Sequence, residues 1–373
     1  MKLSSSRAEA PSVLQVVLSL NPGGTERLVV ELVKRLRPEM PMAVCCLDEE
    51  GSWGEGLRNE QVDVTALRRR DGFRPMLGRA IARVAARHRV NVVHCHHYSP
   101  FVYASIAKLW MPSLNIVFTE HGRLSDAPAS PKRRLANRVL AHAPRRVVTV
   151  SAELGQHLVA EGFPADKVGV IYNGIEVGPE PDTNARQRMR RLLSIPDDML
   201  VAATVARLDP VKDLGTLMHA MAQQPRPARL VLLVIGDGSE RAALEALARD
   251  TGADAAVRFL GHREDARDLL AGCDLYVNSS ISEGISLTIL EAMAARLAVV
   301  ATRAGGTPEI LDATCGRLVP LRDPAALGAA LATLAGDAAL RAELGRAGRA
   351  RVEERFTLDR MVAQYRDVYR AVA

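Results

Sequence analysis

Apolar residues recur along this chain in short runs, each followed by a stretch with helical spacing. Val13–Leu20 is the first run, and Asn21-Pro22-Gly23-Gly24 closes it. An apolar run of that length predicts a strand buried on both faces, as in a parallel sheet. Behind the turn, Leu28, Leu32, Val33 and Leu36 share one face of a helix. Strand, glycine turn and helix form the opening unit of a doubly wound α/β domain. The pattern continues with strands predicted at Met42–Leu47, Val62–Leu67, Asn91–His94, Asn115–Thr119, Arg146–Ser151 and Val168–Tyr172. Helical patterns such as Met76–Arg87 and Lys132–His142 fill the gaps. Asn173–Asn184 is rich in Pro, Gly and Asn and reads as a domain boundary. A second series follows, with strands at Leu200–Ala206, Leu230–Ile235, Ala256–Leu260, Asp274–Asn278 and Ala298–Thr302. Helices are predicted at Lys212–Gln223, Ser239–Asp250 and Leu287–Arg296. The expectation is α/β, with one domain over residues 13–172 and another over 173–355. Residues 356–373 carry an apolar face at Leu358, Met361, Val362, Tyr365, Val368 and Tyr369 and read as a packing helix without chemistry of its own. Residues 1–12 read as a disordered lead without the apolar core of a signal peptide.

Composition changes this picture little. No run of 18 or more apolar residues occurs, so no membrane-spanning helix is expected. The cysteines Cys45, Cys46, Cys95, Cys273 and Cys315 are odd in number and lack a Cys-x-x-Cys pair. They read as buried cytosolic thiols, not disulfides or zinc ligands. Charge is uneven: residues 1–172 hold 24 Lys+Arg against 16 Asp+Glu, 24 − 16 = +8, and residues 173–373 hold 25 against 27, 25 − 27 = −2. Basic clusters lie at Arg68-Arg69-Arg70, at Arg79/Arg83/Arg87 on one helix face, and at Lys132-Arg133-Arg134 with Arg138. Such clusters are ordinarily solvated faces, and they also suit anionic lipid headgroups. Nucleic acid is not expected as a partner, because aromatics are only 4% and no binding motif accompanies the charge.

Candidate chemistry gathers at predicted strand ends. After Asp274–Asn278 comes Glu283-Gly284-Ile285-Ser286-Leu287, a glycine turn that opens a helix. The amides of Ile285, Ser286 and Leu287 are then donors at a helix start, which favours an anion such as a phosphate. Carboxylates lie on either side, Glu283 in the turn and Glu291 in the helix. Thr288 followed by Glu291 is also a capping box, which accounts for Glu291 by helix stability alone. Arg207 and Lys212 leave an earlier strand and can converge on a diphosphate. Gly236-Asp237-Gly238, Phe259–Arg263 and Gly305-Gly306-Thr307-Pro308-Glu309 end three more strands, as if a long polar ligand lay along one sheet edge. Gly23-Gly24 allows close backbone approach, or a simple turn. His121, in Glu120-His121-Gly122-Arg123, stands where ligands bind in such sheets, or is a hydrogen-bonded loop histidine. His94-Cys95-His96-His97 has no spacing for one metal-ligand face and reads as loop residues at a cleft rim.

In this order, Gly23-Gly-Thr-Glu26, Glu120-His-Gly122, Tyr172-Asn-Gly174, Val205–Asp213, Gly236-Asp-Gly238, Phe259-Leu-Gly261, Glu283–Ala294 and Gly305–Glu309 cover nearly the whole chain. Together they resemble the retaining GT-B glycosyltransferases of family 4, the glycosyl transferases group 1, and are similar to bacterial exopolysaccharide and lipid-linked oligosaccharide transferases. The resemblance implies two Rossmann-like domains facing a cleft, with the donor nucleotide sugar on the C-terminal domain, the acceptor on the N-terminal one and the last helix crossing back. It implies that Arg207 and Lys212 hold the diphosphate, that Glu283 meets the sugar, and that Glu291 binds the ribose. By the same likeness, the Ser286 and Leu287 amides meet the phosphates, Gly24 approaches from the other domain, His121 positions the sugar, and the base lies near Arg263. The expected substrate is a nucleoside-diphosphate sugar, with a lipid-linked or saccharide acceptor. Arg, Lys and a helix terminus can neutralise the leaving diphosphate, and no Asp-x-Asp motif stands out, so no metal cofactor is expected. The implied location is cytoplasmic, peripheral at the inner membrane. A sugar-nucleotide epimerase of the same fold, or a binding protein without catalysis, are the alternatives.

Overall fold

A computed structural model describes residues 10–122, 131–182, 184–224 and 229–373. The chain forms two compact units, the first running to Tyr172 and including Asp359–Ala373, the second spanning Asn173–Leu358. Each is built on a parallel sheet. In the first unit the strands are β1 (Val13–Val17), β2 (Met42–Cys46), β3 (Asp63–Ala66), β4 (Val92–His96), β5 (Asn115–Glu120), β6 (Pro144–Thr149) and β7 (Val168–Val170), in spatial order β3-β2-β1-β4-β5-β6-β7. In the second they are β8 (Leu200–Val205), β9 (Leu230–Ile235), β10 (Val257–Gly261), β11 (Leu275–Asn278), β12 (Ala298–Thr302) and β13 (Arg317–Val319), in order β10-β9-β8-β11-β12-β13. In both sheets the order reverses direction beside the first strand, between β1 and β4 and between β8 and β11. Such switch points open the crevices in which doubly wound sheets bind ligands.

The predicted strands appear with ends shifted by up to three residues, the most at β1, which ends at Val17 and not Leu20, and β13, too short to leave a pattern, is added. The helix Met76–Arg87 has the predicted bounds. Residues 1–9 of the expected lead, Arg123 and the side chain of Lys132 lie outside the described residues. Ser12 does not belong to a lead, because its amide donates to Asn91 Oδ1 at 2.8 Å.

Parallel pairing buries both faces of each central strand. In the first unit Leu14, Val16, Val93, Cys95, Ile116 and Phe118 join one core, and Val17, Val44 and Cys46 join a smaller one on the other side. In the second unit Ala202, Leu232, Val234, Leu275, Val277, Ala298 and Val300 anchor the main core. All five cysteines are buried free thiols. Burial pushes the Cys46 thiol up to about 12, with the nearby Asp48 adding to it. Among the described residues no single helix is long and apolar enough to cross a membrane.

Candidate functional site

The second unit brings the loops after β8 and β11 together at its switch point. Ser279 Oγ donates to the Lys212 carbonyl at 2.9 Å, and the Ile281 amide donates to the Val211 carbonyl at 2.9 Å. This fastening sets Lys212 Nζ 2.7 Å from Glu283 Oε1. The same oxygen accepts from Ser280 Oγ at 2.6 Å and from Asn278 Nδ2 at 3.3 Å. Three donors on one oxygen fix the carboxylate and leave Oε2 for another partner. Arg207 turns to Asp209 and is 76% exposed, while Lys212 is 24% exposed.

Behind Glu283, Gly305 adopts φ +47°, and a Cβ there would stand 2.0 Å from the Glu283 carbonyl oxygen. The Gly306 amide donates to that same oxygen at 3.1 Å. Gly236 and Gly238 have parallel explanations: their missing Cβ atoms would fall 1.9 Å from the Ala206 oxygen and 2.6 Å from the Leu208 oxygen. The glycines at these strand ends therefore let neighbouring loops pack backbone against backbone. That requirement is present without any ligand.

The helix Leu287–Ala294 starts at Ser286, whose side chain caps nothing. Its eight residues leave first-turn amides with no side-chain acceptor, the electrostatic setting for an anion. Ile285 is buried, its carbonyl accepting from Asn173 Nδ2 at 3.0 Å, and Gly284 makes the bend before it. The capping box does not form. The helix begins before Thr288, whose hydroxyl instead accepts from Tyr276 Oη at 2.8 Å. Glu291 is buried to 8% exposure, with Oε1 3.5 Å from Arg267 Nε. A cavity of about 730 Å³ lies alongside, with Glu176, Asp265, Arg267 and Glu291 in its wall. Arg263 grips Asp265 with two hydrogen bonds, at 2.7 and 2.6 Å, which hold the Asp265 carboxyl below its usual range.

In the first unit Gly24 opens the helix Gly24–Leu36 directly after β1, and His121 follows β5. His121 Nε2 lies 2.9 Å from His96 Nδ1, and its Nδ1 is buried with no partner among the described residues. His94 and His96 are not loop residues at a rim. Both point to the same face of β4 and are buried to 1% exposure or less. The terminal helix Leu358–Val372 does more than pack: Tyr369 Oη lies 2.6 Å from His94 Nδ1, and Tyr365 Oη 3.2 Å from Thr119 Oγ1. Burial, then the neighbouring rings, lowers the pKa of His94, His96 and His121 well below 6.5. His97 is the opposite case. Burial disfavours its charge, but Glu120 Oε1 at 3.2 Å and the charge of Glu26 together outweigh that and raise its pKa.

No group of three or more His, Cys, Asp or Glu among the described residues is arranged to hold a metal. Sequence reasoning assigned no role to Asn278, Ser280, Asn173 or Gln15. The polar end of an otherwise apolar strand was the available signal for Asn278, a lone polar residue in the run Val13–Leu18 the signal for Gln15, and the Tyr172-Asn-Gly174 motif the signal for Asn173; nothing local marked Ser280.

Residues 200–337 match the family Glycosyl transferases group 1, and residues 22–178 match Glycosyltransferase Family 4. The chain is similar to the D-inositol 3-phosphate glycosyltransferase of Streptomyces coelicolor, 30% identical over 316 residues, 75% of this chain and 69% of that one. It is also similar to the N-acetyl-alpha-D-glucosaminyl L-malate synthase of Bacillus anthracis, 26% identical over 297 residues, 79% of this chain and 78% of that one. Its fold is that of Anabaena Alr3699/HepE, crystallised with UDP and glucose. The TM-score is 0.87 at 23% identity, covering 97% of this chain and all of the other. The expected GT-B architecture is thereby found.

Proposed function

The chain belongs to glycosyltransferase family 4, and from that premise we propose that it transfers a sugar, with retention, from a nucleoside diphosphate to a hydroxyl of a lipid-linked or polysaccharide acceptor. The observation that carries the site assignment is the Lys212–Glu283 contact at the β8/β11 switch point. In this reading Lys212 and Arg207 take the diphosphate together with the open start of Leu287–Ala294. The free oxygen of Glu283 takes hydroxyls of the sugar, Glu291 the ribose, and the loop at Arg263 the base. By the family resemblance, Gly24 and His121 also serve the donor. The bond from the anomeric carbon to the phosphate oxygen breaks, the acceptor oxygen bonds to that carbon on the same face, and its proton passes to the leaving phosphate. Positive side chains and helix amides stabilise the departing charge, so the reaction is proposed to need no metal. A covalent intermediate on a carboxylate is the competing mechanism.

The UDP bound to the Anabaena protein supports a uridine nucleotide donor. The names of the Streptomyces and Bacillus relatives favour a second acceptor reading, a small anionic molecule bearing a hydroxyl. We place the enzyme in the cytoplasm, peripheral at the inner membrane. Arg79, Arg83 and Arg87 line one exposed face of Met76–Arg87, and Leu135 and Val139 are exposed beside Arg134 and Arg138.

Incubation with UDP, GDP and ADP sugars tests the proposal, with a polyprenyl-linked saccharide or a small anionic polyol supplied or withheld. Nucleoside diphosphate release that depends on an acceptor supports it. Conversion of the donor without acceptor would mark an epimerase. The matching nucleotide at 100 times its Kd should stabilise the protein by about 2.7 kcal/mol.

A further inference from the structure

The first unit carries a line of buried polar side chains that a packed core does not require. The parallel register pairs Gln15 with His94 and His96 with Thr119, so all four share one sheet face. Tyr365 and Tyr369 cover that face, and all six side chains are exposed to 2% or less. Leaving any of these groups unpaired would cost about 1–3 kcal/mol, so their proton positions are constrained.

The protons can be followed from Gln15. Its Nε2 donates to Tyr369 Oη at 3.0 Å. That hydroxyl in turn donates to His94 Nδ1 at 2.6 Å, which places the His94 proton on Nε2, donating to Thr119 Oγ1 at 2.7 Å. On the other side, Gln15 Oε1 can only accept, so His96 donates to it from Nε2 at 2.8 Å. A neutral His96 then has a lone pair on Nδ1, and His121 Nε2–H donates to it at 2.9 Å. His121 is left with a lone pair on Nδ1, the buried atom that has no partner among the described residues. Burial keeps all three rings neutral, which each step requires. Turning the Gln15 amide around would reverse every bond and put a proton on His121 Nδ1 instead.

We propose that Gln15 is a positioning residue whose amide, hydrogen-bonded to Tyr369 through Nε2, sets the tautomer of His121 through His96 and presents Nδ1 as a hydrogen-bond acceptor. A sugar hydroxyl is then a matching partner, and a carbonyl or phosphate oxygen is not. This rests on the reading of His121 as a donor-side residue. It adds a residue on a different strand, and a helix from the far end of the chain, to the machinery that prepares it.

Nitrogen NMR of the histidines in the full chain, at about pH 7.5 where burial keeps His94, His96 and His121 neutral, tests it directly. Wild-type His121 should carry its proton on Nε2. Gln15→Met should shift His121 toward the Nδ1–H form and lower kcat/KM about tenfold, mainly through KM for the donor. Tyr369→Phe should give a weaker shift in the same direction, and it serves as the test if Gln15→Met does not fold. A wild-type His121 protonated on Nδ1, or a tautomer that neither variant moves, overturns the proposal. Full transfer by His121→Ala overturns the donor-side reading instead, and the tautomer result separates the two failures.

Discussion

Mild acid should destabilise the first unit well before carboxylates titrate. His94, His96 and His121 are held neutral by burial, their pKa values well below 6.5. In the unfolded chain they titrate near 6.5. A depressed folded pKa contributes stability that is present above the unfolded value and lost as pH falls below it. From about pH 7.5 to about 5.5 each unfolded imidazole gains nearly one proton that the folded one refuses. This costs about 1.4 kcal/mol per ring and about 4 kcal/mol for three. His97 acts oppositely: its folded pKa is raised, so its stabilisation is complete below 6.5 and lost as pH rises through the folded value. Over the same interval it returns at most about 1.4 kcal/mol, leaving a net loss of about 3–4 kcal/mol. Domains are commonly stable by about 5–15 kcal/mol, so the loss is large. The two tryptophans, Trp53 and Trp110, both lie in the first unit, so tryptophan fluorescence reports that unit alone. The urea midpoint should fall by about 1–2 M across this pH range. An unchanged midpoint would refute the claim that three neutral rings are buried there.

Gly305→Ala should destabilise the second unit by about 2 kcal/mol or more, because φ is positive and the new methyl group meets the Glu283 carbonyl. Hydrogen exchange over residues 283–306 reads the effect, and unchanged protection would contradict the packing argument. Reversing Arg79, Arg83 and Arg87 to Glu should weaken partition onto anionic vesicles by about a hundredfold or more, at about 1 kcal/mol for each lost cation. Equal partition would remove the membrane proposal. Lys212→Met should cost about 2 kcal/mol of stability by stripping a charged hydrogen bond from Glu283, and adding Glu283→Gln should recover part of it. A double mutant no more stable than Lys212→Met would contradict this coupling.

How much of this was legible depended on the range of the interaction. The strands were readable because buried parallel strands leave apolar runs: Leu230–Ile235 carries nothing else, and Val13–Leu20 is broken only by Gln15 and Ser19. The meeting of Lys212 and Glu283 was readable because both sit at strand ends beside the switch point, whereas Arg207, read the same way, turns to Asp209. The reason for the glycines was not readable. The sequence shows Gly236 and Gly305 at strand ends, where they read as room for a ligand, and only the structure identifies the neighbouring carbonyl oxygens that exclude a Cβ. The capping box failed because the bend at Gly284 starts the helix at Ser286, two residues ahead of Thr288. His94 and His96 were misread because polar residues inside a strand mimic a loop. What makes them strand residues is Gln15, and a tyrosine hydroxyl 275 positions beyond His94. No local pattern encodes a partner at that distance.

The account turns on Glu283 and Lys212 at one reacting centre. Transfer of sugar from saturating donor to acceptor by Glu283→Ala and Lys212→Ala measures this most directly. Loss of one preorganised charged group at the centre predicts a fall in kcat of about a hundredfold or more in each variant, with the fold intact by circular dichroism. Undiminished transfer by both would contradict the assignment of the β8/β11 switch point as the site of chemistry.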